Sequence, residues 1–352
     1  MNSKSMTTRS ANVDNRRGRV CGAVALAVIA GLSAPAGAQI VASSHEEFSA
    51  VQGQNGWYYG FFDGDSATPW SLGDFEELPF FDTYWHRSVG PGGYWTTVAP
   101  DGGHPNGLTT SGERVAEDNW SVRRWVSDGQ YVLSVFGRAW DANPPVPDRG
   151  DNGVIVYIMV DGSPIWQSIV EPGNGQGIEY DVQFCAVPGT IVDFAIDPRD
   201  STDHGDETGF LSTIRTVIDH QPVDTFTCTG GTAELEVVTL PGTYTYQWRR
   251  NGDPVLHDGN MPRLRVVNVG SPVVGAYDCV ITTECGSMIS NSAMLTICDA
   301  DFDCDGVLDS EDFFQYLTAF FNNVPRADLN LDGYINSQDY FDFLSMFFAG
   351  CS

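Results

Sequence analysis

Two twelve-residue windows near the C-terminus share one pattern of oxygen-bearing side chains, and this pattern constrains the fold more than any other feature of the sequence. The first window reads DFDCDGVLDSED from Asp301, and the second reads DLNLDGYINSQD from Asp328. Each has a carboxylate or amide side chain at positions 1, 3, 5, 9 and 12, and glycine at position 6. The windows begin 27 residues apart, which indicates an internal duplication.

This spacing predicts a pair of calcium-binding loops. Calcium takes roughly six to eight oxygen ligands at about 2.3–2.6 Å, and a tightly turned loop directs alternate side chains inward while position 7 supplies a backbone carbonyl. The predicted ligands of the two Ca²⁺ ions are Asp301, Asp303, Asp305, Val307, Asp309 and Asp312 in the first loop and Asp328, Asn330, Asp332, Tyr334, Asn336 and Asp339 in the second. The alternative interpretation is a solvated acidic tail without metal.

An apolar, aromatic run follows each loop, FFQYLTAFF from Phe313 and YFDFLSMFF from Tyr340. Helices this short are marginal alone, so we expect the two to pack on each other. The duplicated loop–helix units resemble the dockerin family of secreted calcium-binding modules over residues 299 to about 350. The resemblance implies a calcium-folded tail that docks onto a cohesin-type receptor or another envelope protein, and such tails are often carried by polysaccharide-degrading enzymes.

The tail departs from the dockerin pattern where the family recognises its partner. Positions 10 and 11 read Ser310-Glu311 and Ser337-Gln338, so only the serine matches in both repeats. Leu317-Thr318 and Leu344-Ser345 stand where basic residues are common in the family.

The N-terminus indicates export. Basic residues at Arg16, Arg17 and Arg19 precede an apolar run over 20–32, and Ala36-Gly37-Ala38 has the small-residue pattern of a cleavage site. Residues 1–38 are therefore predicted to be a signal peptide. The rest of the sequence has no apolar stretch long enough for a transmembrane helix, so we expect a secreted or surface-associated protein.

The charge of the predicted mature chain is strongly negative. Removal of residues 1–38 takes five basic residues from 18 and one acid from 46, which leaves 13 arginines, no lysine, 45 acids and a net charge of −32. Long-range repulsion would disfavour nucleic acid and anionic membranes as partners.

Seven cysteines remain after residue 38, so we expect disulfides and one unpaired thiol. Cys185 is the candidate free cysteine because it is alone in the first domain. Cys298 and Cys351 bracket the tail and could link its ends, and Cys228 could pair with Cys285. These assignments leave Cys279 and Cys304 without a predicted partner, and sequence alone does not determine the connectivity.

Residues 39–222 show the pattern of a large β-sandwich or jelly roll. Short runs of β-formers, bounded by Gly, Pro, Asp or Asn, begin at Tyr131, Gly153, Ile165, Tyr180 and Thr190. The QGxxGWxYG opening at 52–60, with HPNG and RRW further on, resembles an N-terminal module of secreted proteins of planctomycete-type bacteria. That resemblance implies a module boundary and no particular activity.

Five aromatic residues lie between positions 57 and 62, too many for one face of a strand. Trp57, Tyr58 and Tyr59 are candidate polysaccharide-binding residues, because sugar rings stack on exposed aromatic faces. The alternative is a tryptophan-rich core. A second alternative for the whole protein is an extracellular enzyme of polysaccharide catabolism, an O-glycosyl hydrolase with two catalytic carboxylates that the sequence does not identify. The acidic run from Asp197 to Glu207 could be a calcium-stiffened or a solvated loop.

Residues 223–298 resemble immunoglobulin-like domains. Trp248 lies on a predicted central strand, and Tyr277 stands two residues before Cys279, which is the spacing of a tyrosine corner. The first cysteine of the family is missing, because Leu235 or Val237 occupies its position. The expected architecture is therefore mainly β: an N-terminal sandwich, an immunoglobulin-like sandwich and a small α-helical calcium-binding tail over 299–352.

Overall fold

The computed structural model describes residues 39–63, 72–88, 92–108, 114–143, 152–199, 203–256 and 259–351. The predicted signal peptide lies outside these residues. Within them the protein is mainly β, with 24 strands and two α-helices, as the sequence predicted.

The first domain is built from fourteen of the described strands. Their bounds are β1 Ile40–Ser43, β2 Trp57–Asp63, β3 Phe75–Glu77, β4 Phe80–Phe81, β5 Tyr84–His86, β6 Thr97–Ala99, β7 Gly102–His104, β8 Asn119–Val126, β9 Tyr131–Asp141, β10 Val154–Val160, β11 Ser163–Val170, β12 Ile178–Ala186, β13 Ile191–Asp197 and β14 Thr208–Thr216. The five strands predicted from the β-former runs are β9 to β13.

These strands form two antiparallel sheets that pack face to face. The first sheet has the order β12-β9-β14-β7-β6-β5-β4, with β1 beside β14, and the second has the order β11-β10-β13-β8-β2-β3. Inward side chains of both sheets, among them Leu133 and Ile214 from the first and Trp57 and Phe194 from the second, form one core. The predicted sandwich is confirmed.

Strand β2 shows how the aromatic cluster is accommodated. Successive side chains of a strand point to opposite faces. Trp57, Tyr59 and Phe61 lie in the core between the sheets. Phe62 lies in a separate cluster on the outer face of the second sheet. The cluster is therefore divided between two apolar environments.

The middle domain contains ten further strands. Their bounds are β15 Ile218–His220, β16 Thr225–Thr227, β17 Thr232–Glu236, β18 Val238–Thr239, β19 Thr245–Arg250, β20 Asp253–Pro254, β21 Arg263–Val267, β22 Gly275–Thr283, β23 Gly286–Ile289 and β24 Ala293–Ile297. One sheet has the order β16-β24-β22-β19-β20 with β23 beside β22, and β17 pairs with β21. Ile218 already belongs to the core of this domain.

The core of the middle domain is that of an immunoglobulin-like sandwich. Trp248 is fully buried on β19, directly opposite Cys279 on β22. The Tyr277 hydroxyl donates to the Val273 carbonyl oxygen at 2.6 Å, which is the tyrosine corner. Leu235 is buried in the same core. The immunoglobulin-like fold is confirmed, without the disulfide that usually joins its sheets.

The tail consists of two loops and two helices, α1 over Ser310–Phe321 and α2 over Ser337–Ala349. The helices pack on each other, since the rings of Tyr316 and Phe343 stack with centroids 4.0 Å apart and both side chains are fully buried. Phe302, at position 2 of the first loop, packs edge-on against both rings.

Three disulfides join distant parts of the chain. Cys298–Cys351 links the two ends of the tail, as predicted. Cys185 pairs with Cys285, and Cys228 pairs with Cys304. The predictions of a free Cys185 and of a Cys228–Cys285 bond were therefore wrong.

Among the described residues the free cysteine is Cys279. Burial raises the pKa of its thiol to about 11, so it stays protonated and unreactive at neutral pH.

Candidate functional site

The first loop is organised by hydrogen bonds from backbone N–H groups to its own carboxylates. The Asp301 side chain accepts from Asp305 N at 3.1 Å and Gly306 N at 3.2 Å, and Asp305 Oδ1 accepts from Val307 N at 2.8 Å. At position 12, Asp312 accepts from the backbone N–H groups of residues 302, 303 and 309 at 2.7, 3.2 and 2.8 Å.

The second loop repeats this network position by position. Asp328 accepts from Asp332 N at 3.1 Å and Gly333 N at 2.8 Å, and Asp332 Oδ1 accepts from Tyr334 N at 2.8 Å. Asp339 accepts from the backbone N–H groups of residues 329, 330 and 336 at 2.9, 3.4 and 2.8 Å. The duplication seen in the sequence is thus also a duplication of geometry.

Each loop leads into its helix through a capping box. Asp309 and Asn336 are the N-cap residues, and they exchange hydrogen bonds with the acids at position 12, Asp312 and Asp339. A carboxylate in the first turn also interacts favourably with the helix dipole. The position-12 aspartates therefore join the loop backbone to the helix start.

Glycine at position 6 allows the tight turn in each loop. Gly306 has φ 85° and Gly333 has φ 87°, in the left-handed region that glycine adopts without steric cost. Position 4 is also left-handed in both loops, although it is Cys304 in the first, with φ 66°, and Leu331 in the second, with φ 58°.

The donor set of the first loop fits a hard divalent cation. One oxygen from each of Asp301, Asp303 and Asp305 can be chosen so that all three lie within 4.8 Å of one another. Two oxygens bound to one ion at about 2.3–2.6 Å lie at most about 4.6–5.2 Å apart. The three carboxylate oxygens are thus close enough together to share one cation.

Electrostatics within the first loop also favour a cation. Burial raises the pKa of Asp301, and the neighbouring carboxylates of Asp312 and Asp303 raise it further. Hydrogen bonds from the backbone N–H groups of Gly306 and Asp305 act in the opposite direction but do not cancel the increase. Burial likewise raises the pKa of Asp303. Like charges held this close repel one another, and a bound cation would relieve that repulsion.

The second loop contains fewer charges. Asn330 and Asn336 replace the acids at positions 3 and 9, so three of its five ligand side chains are carboxylates, compared with all five in the first loop. Burial acts to raise the pKa of Asp339, but backbone N–H groups, from Asn336, Asn330 and Leu329 among others, outweigh it and the pKa is lowered.

The aromatic residues predicted to bind polysaccharide are largely inaccessible. Trp57 and Tyr59 are fully buried. The Trp57 indole N–H donates to Glu47 at 2.9 Å, and the Tyr59 ring lies 5.1 Å from that of Trp85. Both belong to the core and offer no face for a sugar ring, which corrects the prediction for these two residues. Tyr58 is half-buried.

A groove on the tail was not predicted from the sequence. It has a volume of about 620 Å³ and is lined by Phe302, Phe314, Thr318 and Arg326 together with residues at the start of α1. Arg326 is the only basic residue of the tail, and its guanidinium lies 4.5 Å over the Phe302 ring.

The outer faces of the two helices expose phenylalanine at matching positions. Phe314 and Phe321 on α1 are 63% and 75% exposed, and Phe341 and Phe348 on α2 are 62% and 80% exposed. The two pairs are related by the 27-residue repeat. The sequence signal for this surface was the seven-residue spacing of phenylalanine in both aromatic runs.

Three carboxylates of the acidic run in the first domain are buried, whereas Glu207 at its end is exposed. Asp197, Asp203 and Asp206 are all buried. Asp197 accepts a hydrogen bond from Arg199 N at 2.7 Å.

The His104 imidazole packs beside the Trp95 ring, with ring centroids 5.6 Å apart. Its Nδ1 lies 2.5 Å from the Pro105 carbonyl oxygen. Burial, with Arg114 nearby, lowers its pKa to about 4. It is neutral at pH 7.

The described fold is that of a multi-domain β protein with an immunoglobulin-like middle domain. No protein-family model and no curated protein matches the chain. Neither described helix has the length and apolar character needed to span a bilayer.

Solved structures similar to the chain contain immunoglobulin domains. Titin M4 is 21% identical, with 23% of this chain and 92% of that chain covered and a TM-score of 0.20. The human B7-H4 IgV-like domain is 17% identical, with 22% and 93% covered and a TM-score of 0.18. The N-terminal Ig1-2 module of the Drosophila receptor protein tyrosine phosphatase DLAR is 14% identical, with 47% and 98% covered and a TM-score of 0.21. At these TM-scores the immunoglobulin-like assignment depends on the strand order, Trp248 and the tyrosine corner.

Proposed function

We propose that this protein is a modular binding protein of the cell exterior, and that its tail, residues 299–352, is a calcium-dependent docking module. The observation that carries the proposal is the hydrogen-bond network repeated in the two loops. Two unrelated acidic turns would have no reason to share the same donors and acceptors at positions 1, 5 and 12. Three disulfides support an oxidising exterior.

Ten of the twelve ligands in this proposal are side chains. Asp301, Asp303, Asp305, Asp309 and Asp312 would bind one ion, and Asp328, Asn330, Asp332, Asn336 and Asp339 would bind the other. The carbonyl groups of Val307 and Tyr334 complete the two sets. Bound Ca²⁺ would supply the positive charge that neutralises these carboxylates. Because each position-12 aspartate also caps its helix, binding in the loop is coupled to the direction in which the helix leaves it.

The docking face is proposed to be the outer faces of α1 and α2. Each begins with a serine, Ser310 or Ser337, and continues through the exposed phenylalanine pair of its helix. The partner would be a protein with apolar pockets for these rings, a cohesin-type receptor or another envelope protein. Aromatic anchors of this kind contribute much of the affinity at protein interfaces.

Calcium titration of residues 39–352 tests the first part of the proposal. Isothermal titration is expected to give two bound ions per chain, and Asp301→Asn and Asp328→Asn are each expected to remove one. Asp299→Asn is a matched control, because it neutralises an acid of the tail outside both loops. Absence of calcium binding, or equal losses in the control, would refute the proposal.

Binding to a panel of cohesin domains in calcium and in chelator tests the second part. We expect calcium-dependent binding that Phe314→Ser with Phe341→Ser reduces at least about tenfold. Equal binding in chelator would contradict a calcium-dependent docking module. Binding unaffected by both substitutions would place the interface elsewhere.

Polysaccharide binding is a second candidate function, favoured by a groove on the outer face of the first sheet. The groove has a volume of about 640 Å³ and is lined by Phe136, Arg138, Glu179 and Asp181 among others. Its mixture of aromatic and charged groups suits a hydroxyl-rich ligand. In affinity electrophoresis, a polysaccharide in the gel should retard the wild-type chain more than Arg138→Ala or Glu179→Ala. Identical mobility with and without a panel of polysaccharides would count against this function.

A further inference from the structure

The two loops have the same internal geometry but different connections to the rest of the protein. Cys304, at position 4 of the first loop, lies between the proposed ligands Asp303 and Asp305 and is bonded to Cys228 of the immunoglobulin-like domain. The equivalent residue of the second loop, Leu331, is 84% exposed. Only the first loop is thus covalently attached to the neighbouring domain.

Other contacts reinforce this attachment. Phe226 on β16 packs against the core of the tail. The Thr227 carbonyl accepts from Cys298 N at 3.0 Å, and Thr229 N donates to the Asp299 side chain at 2.9 Å. These contacts bring the strand that precedes Cys228 against the beginning of the tail, so the disulfide spans an interface that is already packed.

Arg326 also contacts the first loop. Its Nη2 donates to Cys304 Sγ at 2.8 Å, and its guanidinium lies over Phe302. Residues 302 and 304 flank the ligand Asp303. The residues on both sides of Asp303 are therefore held by groups outside the loop, Phe302 by Arg326 and Cys304 by Arg326 and Cys228.

The left-handed backbone conformation at position 4 costs free energy in both loops, but the side chain at that position is restrained only in the first. A residue other than glycine, asparagine or aspartate seldom adopts positive φ, and holding it there costs about 1–2 kcal/mol. The side chain of Cys304 is tethered to Cys228 by the disulfide. Leu331 has an exposed side chain, so the metal-free second loop is freer to leave it.

We propose that the Cys228–Cys304 disulfide is a positioning element that holds the first loop in its binding geometry before calcium arrives, so that this loop binds more tightly than its ligands alone would allow. The inference rests on the proposed calcium function. In the metal-free protein, repulsion among Asp301, Asp303 and Asp305 would open an unrestrained loop. A cross-link removes open conformations from that ensemble and lowers the ordering cost of binding.

The difference in charge between the loops must be removed before the disulfide can be tested. Asp303→Asn with Asp309→Asn gives the first loop the ligand side chains of the second, Asp-Asn-Asp-Asn-Asp at positions 1, 3, 5, 9 and 12, and Glu311→Gln removes the remaining difference in charge, at position 11. Position 7 supplies a backbone carbonyl in both. Adding Asp328→Asn to this variant inactivates the second loop, so the calcium affinity measured is that of the matched first loop. Asp301→Asn in the wild-type chain inactivates the first loop, so the affinity measured is that of the second.

Isothermal titration of these two proteins, with all disulfides intact, is the main experiment. We expect the matched first loop to bind calcium about tenfold more tightly than the second. Cys228→Ser with Cys304→Ser should reduce the first loop to the affinity of the second. Cys298→Ser with Cys351→Ser is the matched control, and should leave the ratio of the two affinities unchanged.

The outcomes separate the two proposals. Equal affinities of the matched loops in the disulfide-intact protein would overturn this inference and leave the calcium function intact. No calcium binding by the wild-type chain would overturn both. If circular dichroism shows that the Cys228→Ser, Cys304→Ser protein is unfolded, the comparison of matched loops in the intact protein decides alone.

Discussion

At the scale of single residues, the aromatic side chains of β2 stabilise the first domain. Trp57 fills the space between the two sheets, and its indole N–H is paired with Glu47. Tyr58, the next residue, is only half-buried. Trp57 and Tyr58, adjacent on one strand, should therefore contribute differently to the free energy of unfolding.

This difference gives a stability prediction. Trp57→Ala should lower the free energy of unfolding by about 3–5 kcal/mol, because it leaves a large cavity in the core. Tyr58→Ala should cost about 1 kcal/mol. Urea denaturation followed by circular dichroism measures both, and similar losses would show that Trp57 is not the better packed of the two.

His104 gives a prediction of pH dependence. Its pKa of about 4 in the folded protein lies below its ordinary value of 6.5, so the unfolded chain binds the extra proton as the pH falls. This contribution to stability is complete above pH 6.5 and is lost towards pH 4, up to roughly 3 kcal/mol. Between pH 7 and pH 4 the free energy of unfolding should therefore fall more steeply for wild type than for His104→Gln. Parallel pH profiles would contradict a half-buried, neutral His104.

At the scale of elements, the tyrosine corner joins the start of β22 to the turn before it. The Tyr277 side chain is almost fully buried and its hydroxyl donates to Val273. Removing the hydroxyl leaves the packing of the ring in place but leaves the Val273 carbonyl oxygen without this hydrogen bond. The corner is therefore a local test of the immunoglobulin-like assignment.

Tyr277→Phe should destabilise the protein by about 1–2 kcal/mol, measured as a shift in the urea midpoint. Tyr246→Phe is a matched control on β19, where the hydroxyl contacts Thr239 at 2.9 Å in a less buried setting. We expect a smaller loss there. Equal losses would mean that the corner has no special role.

The sequence was informative where spacing alone determines geometry. Trp248 and Tyr277 predicted the immunoglobulin-like core, and the twelve-residue windows predicted two loops leading into two helices. Calcium ligation by those loops stays a prediction. For Trp57 and Tyr59 the sequence left two alternatives open, because alternation along a strand separates the faces of a sheet but does not show which of them a second sheet covers.

The cysteines show where sequence reasoning fails. Cys185–Cys285 and Cys228–Cys304 join residues of different domains, 100 and 76 positions apart. Their pairing depends on which surfaces meet when the domains pack, and nothing in the spacing reports that. Cys298–Cys351 was predictable because both cysteines bracket one module.

At the scale of the whole molecule, the Cys185–Cys285 disulfide joins the first sandwich to the middle domain. Gln183 reinforces the contact, since its Nε2 donates to the Pro241 carbonyl at 2.7 Å and its Oε1 accepts from the Tyr244 hydroxyl at 3.1 Å. The cross-link closes a loop of 100 residues, for which restriction of the unfolded chain corresponds to about 3–5 kcal/mol.

Cys185→Ser with Cys285→Ser should therefore lower the melting temperature and separate the unfolding of the two domains. Differential scanning calorimetry is expected to resolve two transitions in place of one. Cys298→Ser with Cys351→Ser, which removes a bond inside the tail, should leave the unfolding of the two sandwiches coupled. A single transition in both variants would show that noncovalent contacts suffice for the coupling.

The disulfides also determine how the protein would transmit mechanical load. A pull between the first domain and the tail passes through Cys185–Cys285 and Cys228–Cys304, which bracket most of the immunoglobulin-like strands. Tension cannot lengthen the chain between bonded cysteines. The shortest covalent path through the middle domain crosses from Cys185 to Cys285 and then follows the backbone to Cys304. Force on a docked tail could therefore extend this domain by no more than that segment, which contains β23 and β24, whatever the length of the rest of the domain.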